Sequence, residues 1–342
     1  MTDFGGAIKD SRAYQLAILG VPFDEKSCFL RGAALGPAAI RAASTGKALN
    51  PYTELGVDLE HDTVLADLGD VDTSGDVDKT FFRIESAVGQ ILKKRAKPII
   101  LGGDHSITYP VFRALAKTHK ALDILHFDAH PDLYEDLYGD RCSHACPFAR
   151  IMEDKLAQGL VQVGIRAATA DQRANARRHG SRMVEMKDFD DGLVLEFKRP
   201  VYISFDLDAL DPAFAPGVSH HEPGGLSTRQ VLDLIHRLKA DIIGLDVVEC
   251  NPTRDPSGIT AAAAVKIIKE VAGTMIKKGP RRAWRFSRAT RGRLRRRRRG
   301  SGCRRRGRPT LHGVYRKAGR RSRRRTCCRR RCGPGTCGHR ER

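Results

Sequence analysis

Four short stretches of this 342-residue chain concentrate acids and imidazoles: Gly102-Gly-Asp-His105, Asp128-Ala-His130-Pro-Asp132, Asp206-Leu-Asp208 and Glu249. Each alone is commonplace, because a lone His or Asp behind a strand is usually a helix cap or a surface residue, and Asp-x-Asp is frequent. Brought to one place, His105, Asp128, His130, Asp132, Asp206 and Asp208 would crowd four carboxylates together, and only a cation offsets that repulsion. Two imidazoles and four carboxylates are too many donors for one tetrahedral zinc. They suit two five- or six-coordinate ions that share bridging carboxylates. The oxygen-rich set favours Mn²⁺, with Co²⁺, Ni²⁺ or Zn²⁺ as substitutes. Two ions about 3.5–4 Å apart hold a water and lower its pKa, so the implied chemistry is metal-assisted hydrolysis.

Those residues can meet only if the elements before them end side by side. Apolar runs at 16–21, 63–68, 98–101, 122–127, 160–165, 201–205 and 241–248 predict strands. Most are apolar throughout, as strands buried on both faces must be. Between them, 36–43, 78–95, 109–119, 169–179, 228–239 and 258–278 predict helices. The β-α-β-α order predicts an α/β fold: a single doubly wound domain with a mainly parallel sheet flanked by helices. Ligands bind at the carboxyl ends of such strands. The four chemistry-bearing stretches follow runs that end at Leu101, Phe127, Phe205 and Val248.

The formal net charge of +21 belongs to no single part of the chain. Residues 281–342 hold 26 Arg, Lys317 and one acid, Glu341, a net of +26, so residues 1–280 carry −5. The reading is a mildly acidic catalytic domain over 1–280 followed by an Arg-rich tail. That tail lacks hydrophobic periodicity and is expected to be disordered. Three readings of it stay open. It is a basic arm that binds nucleic acid through phosphates, or a metal tail through Cys327, Cys328, Cys332 and Cys337, or frameshifted or read-through text from a GC-rich gene. The first alone would make nucleic acid a partner. Cys28, Cys142, Cys146 and Cys250 lack the spacing of a disulfide framework or zinc ribbon. No run reaches the roughly 18 apolar residues of a membrane span. Residues 1–10 read as neither a secretory signal nor a transit peptide, and the expected location is cytoplasmic.

Gly102-Gly-Asp-His-Ser106, Asp128-Ala-His-Pro-Asp132 and Ser204-Phe-Asp-Leu-Asp-Ala-Leu-Asp-Pro212 closely resemble the three signature segments of the ureohydrolases, the arginase and agmatinase family. Supporting matches lie at 32–41, 67–70, 164–166, 224–226 and 246–252. The resemblance implies an arginase-like fold, two Mn²⁺ per subunit, a homotrimer or homohexamer, and hydrolysis of a small guanidino substrate to urea. It implies His105, Asp128, Asp132 and Asp206 as ligands of one ion, and His130, Asp128, Asp206 and Asp208 as ligands of the other. Asp132 would also orient the hydroxide between them. His144 matches a mobile-loop proton shuttle, and Glu249 matches the carboxylate that binds the guanidinium. The positions where animal-type arginases grip the amino-acid head fall near Tyr134, Asp140 and Thr169, which do not reproduce those contacts. That favours agmatine over arginine. Against it, the loop 216–226, Cys142-Ser-His144-Ala and 148–153 resemble the branch of plant-type arginases and bacterial relatives. In that loop His220 or His221 would face the substrate tail, or the two would form a surface pair.

Overall fold

The computed structural model describes residues 3–7, 13–45 and 50–277, and the Arg-rich tail at 281–342 lies outside the described residues. Eight strands form one sheet: β1 (Leu16–Gly20), β2 (Leu65–Asp70), β3 (Lys97–Leu101), β4 (Asp123–Phe127), β5 (Gly159–Ile165), β6 (Arg182–Glu185), β7 (Val201–Asp206) and β8 (Ile242–Val248). Their order is β2-β1-β3-β8-β7-β4-β5-β6. Every pairing is parallel, so the expected mainly parallel sheet is wholly so among the described residues.

Strand side chains alternate between two cores, as the period of two requires. Ile18, Ile99, Leu101, Leu125, Phe127, Ile203 and Phe205 point into one core. There they meet Ile40 of α1 (Gly36–Ser44), Leu234 of α6 (Thr228–Arg237) and Ile268 of α7 (Ile259–Lys277). Ala17, Leu19, Ile100, Ile124 and Tyr202 point the other way. They pack on Ile84 of α2 (Val77–Lys93), Phe112 of α3 (Thr108–Leu115) and Phe148 of α4 (Pro147–Glu153), with Ala176 of α5 (Ala170–Arg178) in the same core. Helices on both faces explain why the central strands read as unbroken apolar runs.

Two elements escaped the sequence reading. β6 is a half-exposed edge strand, Arg-Met-Val-Glu, with no apolar run to announce it. α4 spans seven residues and buries five of them, too short and too buried to display a helical period.

Candidate metal centre

The four central strands, β3-β8-β7-β4, end in register. Leu101 pairs with Val247, Val247 with Phe205, and Phe205 with Phe127. The residues just beyond therefore reach one edge together, though they lie far apart in the sequence. Behind Leu101 the chain turns through Gly102 and Gly103. A Cβ on Gly103 would sit 1.8 Å from the Phe23 carbonyl oxygen, so only glycine fits. Asp104 then caps the single 3₁₀ turn His105–Ile107. Behind Phe205, Asp206 caps a second 3₁₀ turn by accepting the Asp208 N–H at 2.8 Å. Asp132 at 51° and Glu249 at 62° adopt positive φ although neither is glycine, a conformation that neighbouring contacts must hold in place.

All six predicted ligands come together, in two clusters joined by Asp128. In the first, His105 Nδ1 faces Asp128 Oδ2 at 3.2 Å, Asp132 Oδ2 at 3.1 Å and Asp206 Oδ2 at 3.2 Å. This nitrogen is buried and has no hydrogen-bond partner. Ligands that are neighbours around an octahedral ion with bonds of roughly 2.1 Å stand about 3 Å apart, so the spacing suits an ion among these four groups. In the second cluster, His130 Nδ1 lies 3.4 Å from Asp128 Oδ1 and 3.0 Å from Asp208 Oδ2. Burial and the neighbouring carboxylates Asp208 and Asp128 raise the Asp206 pKa well above the usual range. Burial and Asp128 raise that of Asp208. A divalent ion in each cluster would relieve that cost.

Beneath the ligands runs a polar row that the sequence reading did not single out. Gln162 pairs in register with His126, His126 with Ser204, and Ser204 with Asp246, one residue from each of β5, β4, β7 and β8. All four are fully buried. Gln162 Nε2 donates at 2.9 Å to His126 Nδ1, so His126 carries its proton on Nε2 and donates to Asp128 Oδ2 at 2.8 Å. This orients Asp128, one of the predicted ligands. Ser204 donates to Asp246 at 2.6 Å and accepts from His105 Nε2 at 2.9 Å, which leaves the His105 Nδ1 lone pair for a metal. Thr108 donates to the second Asp246 oxygen at 3.0 Å. The available signal was a polar residue interrupting each apolar run.

Glu249 stands beside the first cluster. Its Oε1 accepts the His105 N–H at 2.9 Å, while its buried Oε2 has no hydrogen-bond partner and is free to accept one. His144 Nδ1 lies 3.4 Å from Glu249 Oε1, and its Nε2 meets Cys28 Sγ at 3.2 Å. Burial opposes protonation of His144, but Cys28 and Glu249 outweigh it and push its pKa up to about 11. The same contact with His144 lowers the Cys28 pKa. The His220 ring stacks on His144, with centroids 5.4 Å apart and planes 27° apart, and meets His130 at 5.7 Å. These groups line a cavity of about 180 Å³ that also reaches Asp132, Asp206 and Asp208. Tyr134 lines it too. Asp140 is instead tied to Lys26 at 2.8 Å, and Thr169 caps α5. His221 does not line it; its Nε2 bonds the Pro216 carbonyl at 2.7 Å.

The model of the arginase family matches residues 14–273. The chain belongs to the arginase family. Arginase 1, mitochondrial, from Arabidopsis thaliana is 46% identical over 277 residues, covering 76% of this chain and 81% of that protein. Proclavaminate amidinohydrolase from Streptomyces clavuligerus is 35% identical, covering 76% and 88%. The solved arginase from Medicago truncatula superposes with a TM-score of 0.73 at 43% identity, covering 77% of this chain and 88% of that one. The agmatine ureohydrolase of Thermoplasma volcanium gives 0.70 at 31%, covering 81% and 95%. As a member of the arginase family, the protein is a metal-dependent hydrolase of the amidinohydrolase and ureohydrolase type. No helix among the described residues is long and apolar enough to cross a membrane.

Proposed function

We propose that this chain hydrolyses the guanidinium group of a small cationic substrate to urea with two Mn²⁺ ions, and that arginine is the preferred substrate. The observation that carries the hydrolytic reading is the pair of imidazole–carboxylate clusters joined through the two oxygens of Asp128. His105, Asp128, Asp132 and Asp206 would hold one ion, and His130, Asp128, Asp206 and Asp208 the other. Two such ions would supply Lewis-acid chemistry, lowering the pKa of a bound water and offsetting negative charge on the substrate. Asp132 would accept a hydrogen bond from the attacking water and orient it. Glu249 Oε2 would accept guanidinium N–H groups and orient the trigonal carbon, while its Oε1 stays on the His105 backbone. His144 carries the proton that the amine must gain to leave as ornithine or putrescine.

Arginine leads because the relatives at 46% and 43–44% identity are named arginases, whereas the agmatine ureohydrolase is 31% identical. Ser219 and His220 line the cavity and offer polar groups to an amino-acid head. Agmatine remains the second reading for a specific reason. Among the described residues that line the cavity there is no Lys or Arg to pair an α-carboxylate. The test is urea release from arginine, agmatine and 4-guanidinobutyrate by the Mn²⁺-loaded protein. A higher kcat/KM for agmatine overturns the order, and no urea from any of the three overturns the function. We further propose the trimeric or hexameric assembly implied by the resemblance, which sizing in solution tests; a monomer overturns it.

A further inference from the structure

At the mouth of the cavity three metal-ligating side chains converge that neither predicted cluster uses. Cys28 Sγ lies 3.2 Å from His144 Nε2 and 3.9 Å from His220 Nε2, and the three atoms all fall within 4.8 Å of one another. Around a tetrahedral zinc, with Zn–S about 2.3 Å and Zn–N about 2.0–2.1 Å, a sulfur and a nitrogen ligand stand about 3.6 Å apart. The two observed separations bracket that value. We propose that Cys28, His144 and His220 form a third metal site, selective for Zn²⁺, whose occupation inhibits the enzyme by holding His144.

Three features support a built site. The first is ligand type. The two inner clusters are rich in carboxylate oxygen and suit Mn²⁺, whereas a thiolate with two imidazoles is the softer set that zinc prefers. The second is orientation. His144 turns Nδ1 towards Glu249 Oε1 at 3.4 Å, so a proton held on Nδ1 leaves the Nε2 lone pair facing Cys28, the carboxylate–imidazole–metal arrangement of many zinc sites. The third is rigidity of the loops that carry the ligands, which come from behind β1, behind β4 and behind β7. His144 N–H bonds the Lys26 carbonyl at 3.3 Å, and Lys26 Nζ pairs with Asp140 at 2.8 Å. Ser219 Oγ donates to the Leu30 carbonyl at 2.8 Å, and Asn251 Nδ2 reaches both that carbonyl and Ser219 Oγ. The three loops are thus tied together within two residues of each ligand.

Zinc would bind as the Cys28 thiol and the protonated His144 imidazole each give a proton to solvent, His144 keeping the proton on Nδ1, and a fourth coordination position would remain for water. Its ligation takes the Nε2 lone pair of His144, so that imidazole could no longer gain and release a proton. The inhibitory half of this proposal rests on the shuttle role given to His144 above; the metal site itself does not.

The experiment uses the reduced, Mn²⁺-loaded full chain. Alkylation of Cys28 by iodoacetamide is followed by peptide mass spectrometry, which reads this thiol apart from every other cysteine, with and without added Zn²⁺. Activity is measured in parallel, with each variant normalised to its own uninhibited rate. Zinc should slow Cys28 alkylation by about tenfold or more, and His220→Ala should remove that protection. The zinc concentration for half-inhibition should rise by about tenfold or more in both Cys28→Ala and His220→Ala. Unchanged alkylation, or protection that survives His220→Ala, overturns the site. Protection together with equal zinc sensitivity in parent and Cys28→Ala overturns the inhibitory role and points to displacement of Mn²⁺. A parent that releases no urea removes the functional reading, while the alkylation result still decides the metal site.

Discussion

His105 Nε2 meets Ser204 Oγ at 2.9 Å, and this one contact fixes which imidazole nitrogen is free to hold a metal. Ser204 gives its own proton to Asp246, so it can only accept from His105. Replacing it with alanine leaves the ring able to turn or to exchange its proton between nitrogens. Ser204→Ala is expected to weaken binding of the ion at His105 by about 10–100-fold while the fold persists. Metal content after dialysis against graded chelator, alongside an unchanged far-ultraviolet circular dichroism spectrum, checks this. Undiminished affinity would leave Ser204 with a packing role alone.

Asp128 joins both clusters, so its loss should be worse than that of any ligand to one ion. Asp128→Ala is expected to strip both ions and abolish urea release, whereas His130→Ala should retain the ion at His105 and still be inactive. Elemental analysis of each purified variant gives the metal count. Full activity in either metal-depleted protein would sink the dinuclear assignment.

His144 touches Glu249 and Cys28 and belongs to neither inner cluster. His144→Asn should therefore lower kcat by about 10²–10⁴-fold with metal content near that of the parent. A small exogenous imidazole should restore part of the rate. A variant with parental turnover would assign proton transfer elsewhere.

Away from the site, Arg41 is a buried cation that knits α1 to β2. Its guanidinium meets Asp67 at 2.8 and 2.9 Å, Asp70 at 2.5 Å and the Gly69 carbonyl at 3.0 Å, with only 1% of its surface exposed. Arg41→Met removes the cation and leaves the Asp67 and Asp70 carboxylates without their counter-charge, at a cost of about 3–5 kcal/mol. Denaturant unfolding of parent and variant measures it. A loss below about 1 kcal/mol would show that water reaches those carboxylates.

Glu54 offers a pH test. Its hydrogen bond with Arg229, aided by Lys266 and opposed by burial, lowers its pKa to about 2. An unfolded glutamate titrates near about 4.3, so the folded pKa is depressed. The stabilisation is complete above about pH 4.3 and disappears as the pH falls through the folded value. The Tm gap between parent and Glu54→Gln should be open at about pH 6 and narrow steadily below about pH 4. A gap independent of pH would locate the effect in packing.

The sheet was legible because burial on both faces writes an apolar run, and the convergence of the candidate ligands because Asp and His types stand immediately behind those runs. β6 was not, since an edge strand such as Arg182–Glu185 needs no apolar character. The support residues were half legible. His126, Ser204 and Asp246 interrupt apolar strands, but only the parallel register shows that they form one row with Gln162. Cys28 has no disulfide or zinc-ribbon spacing in the sequence. Nothing local marks it, because its partners His144 and His220 arrive 116 and 192 residues later. The readings of the Arg-rich region at 281–342 concern residues outside those described.

The bond from the His105 backbone to Glu249 spans 144 positions, so it exists only once β8 has taken its place between β3 and β7. Parallel pairing across such separations is slow, because chain entropy is spent before any contact repays it. Stray metal in a refolding mixture therefore finds few of these donors gathered in early collapsed chains, and it gains its full grip only after the rate-limiting step. A metal ion held by these donors should accordingly slow unfolding far more than it speeds refolding, and the protein's lifetime under heat would follow the free metal concentration.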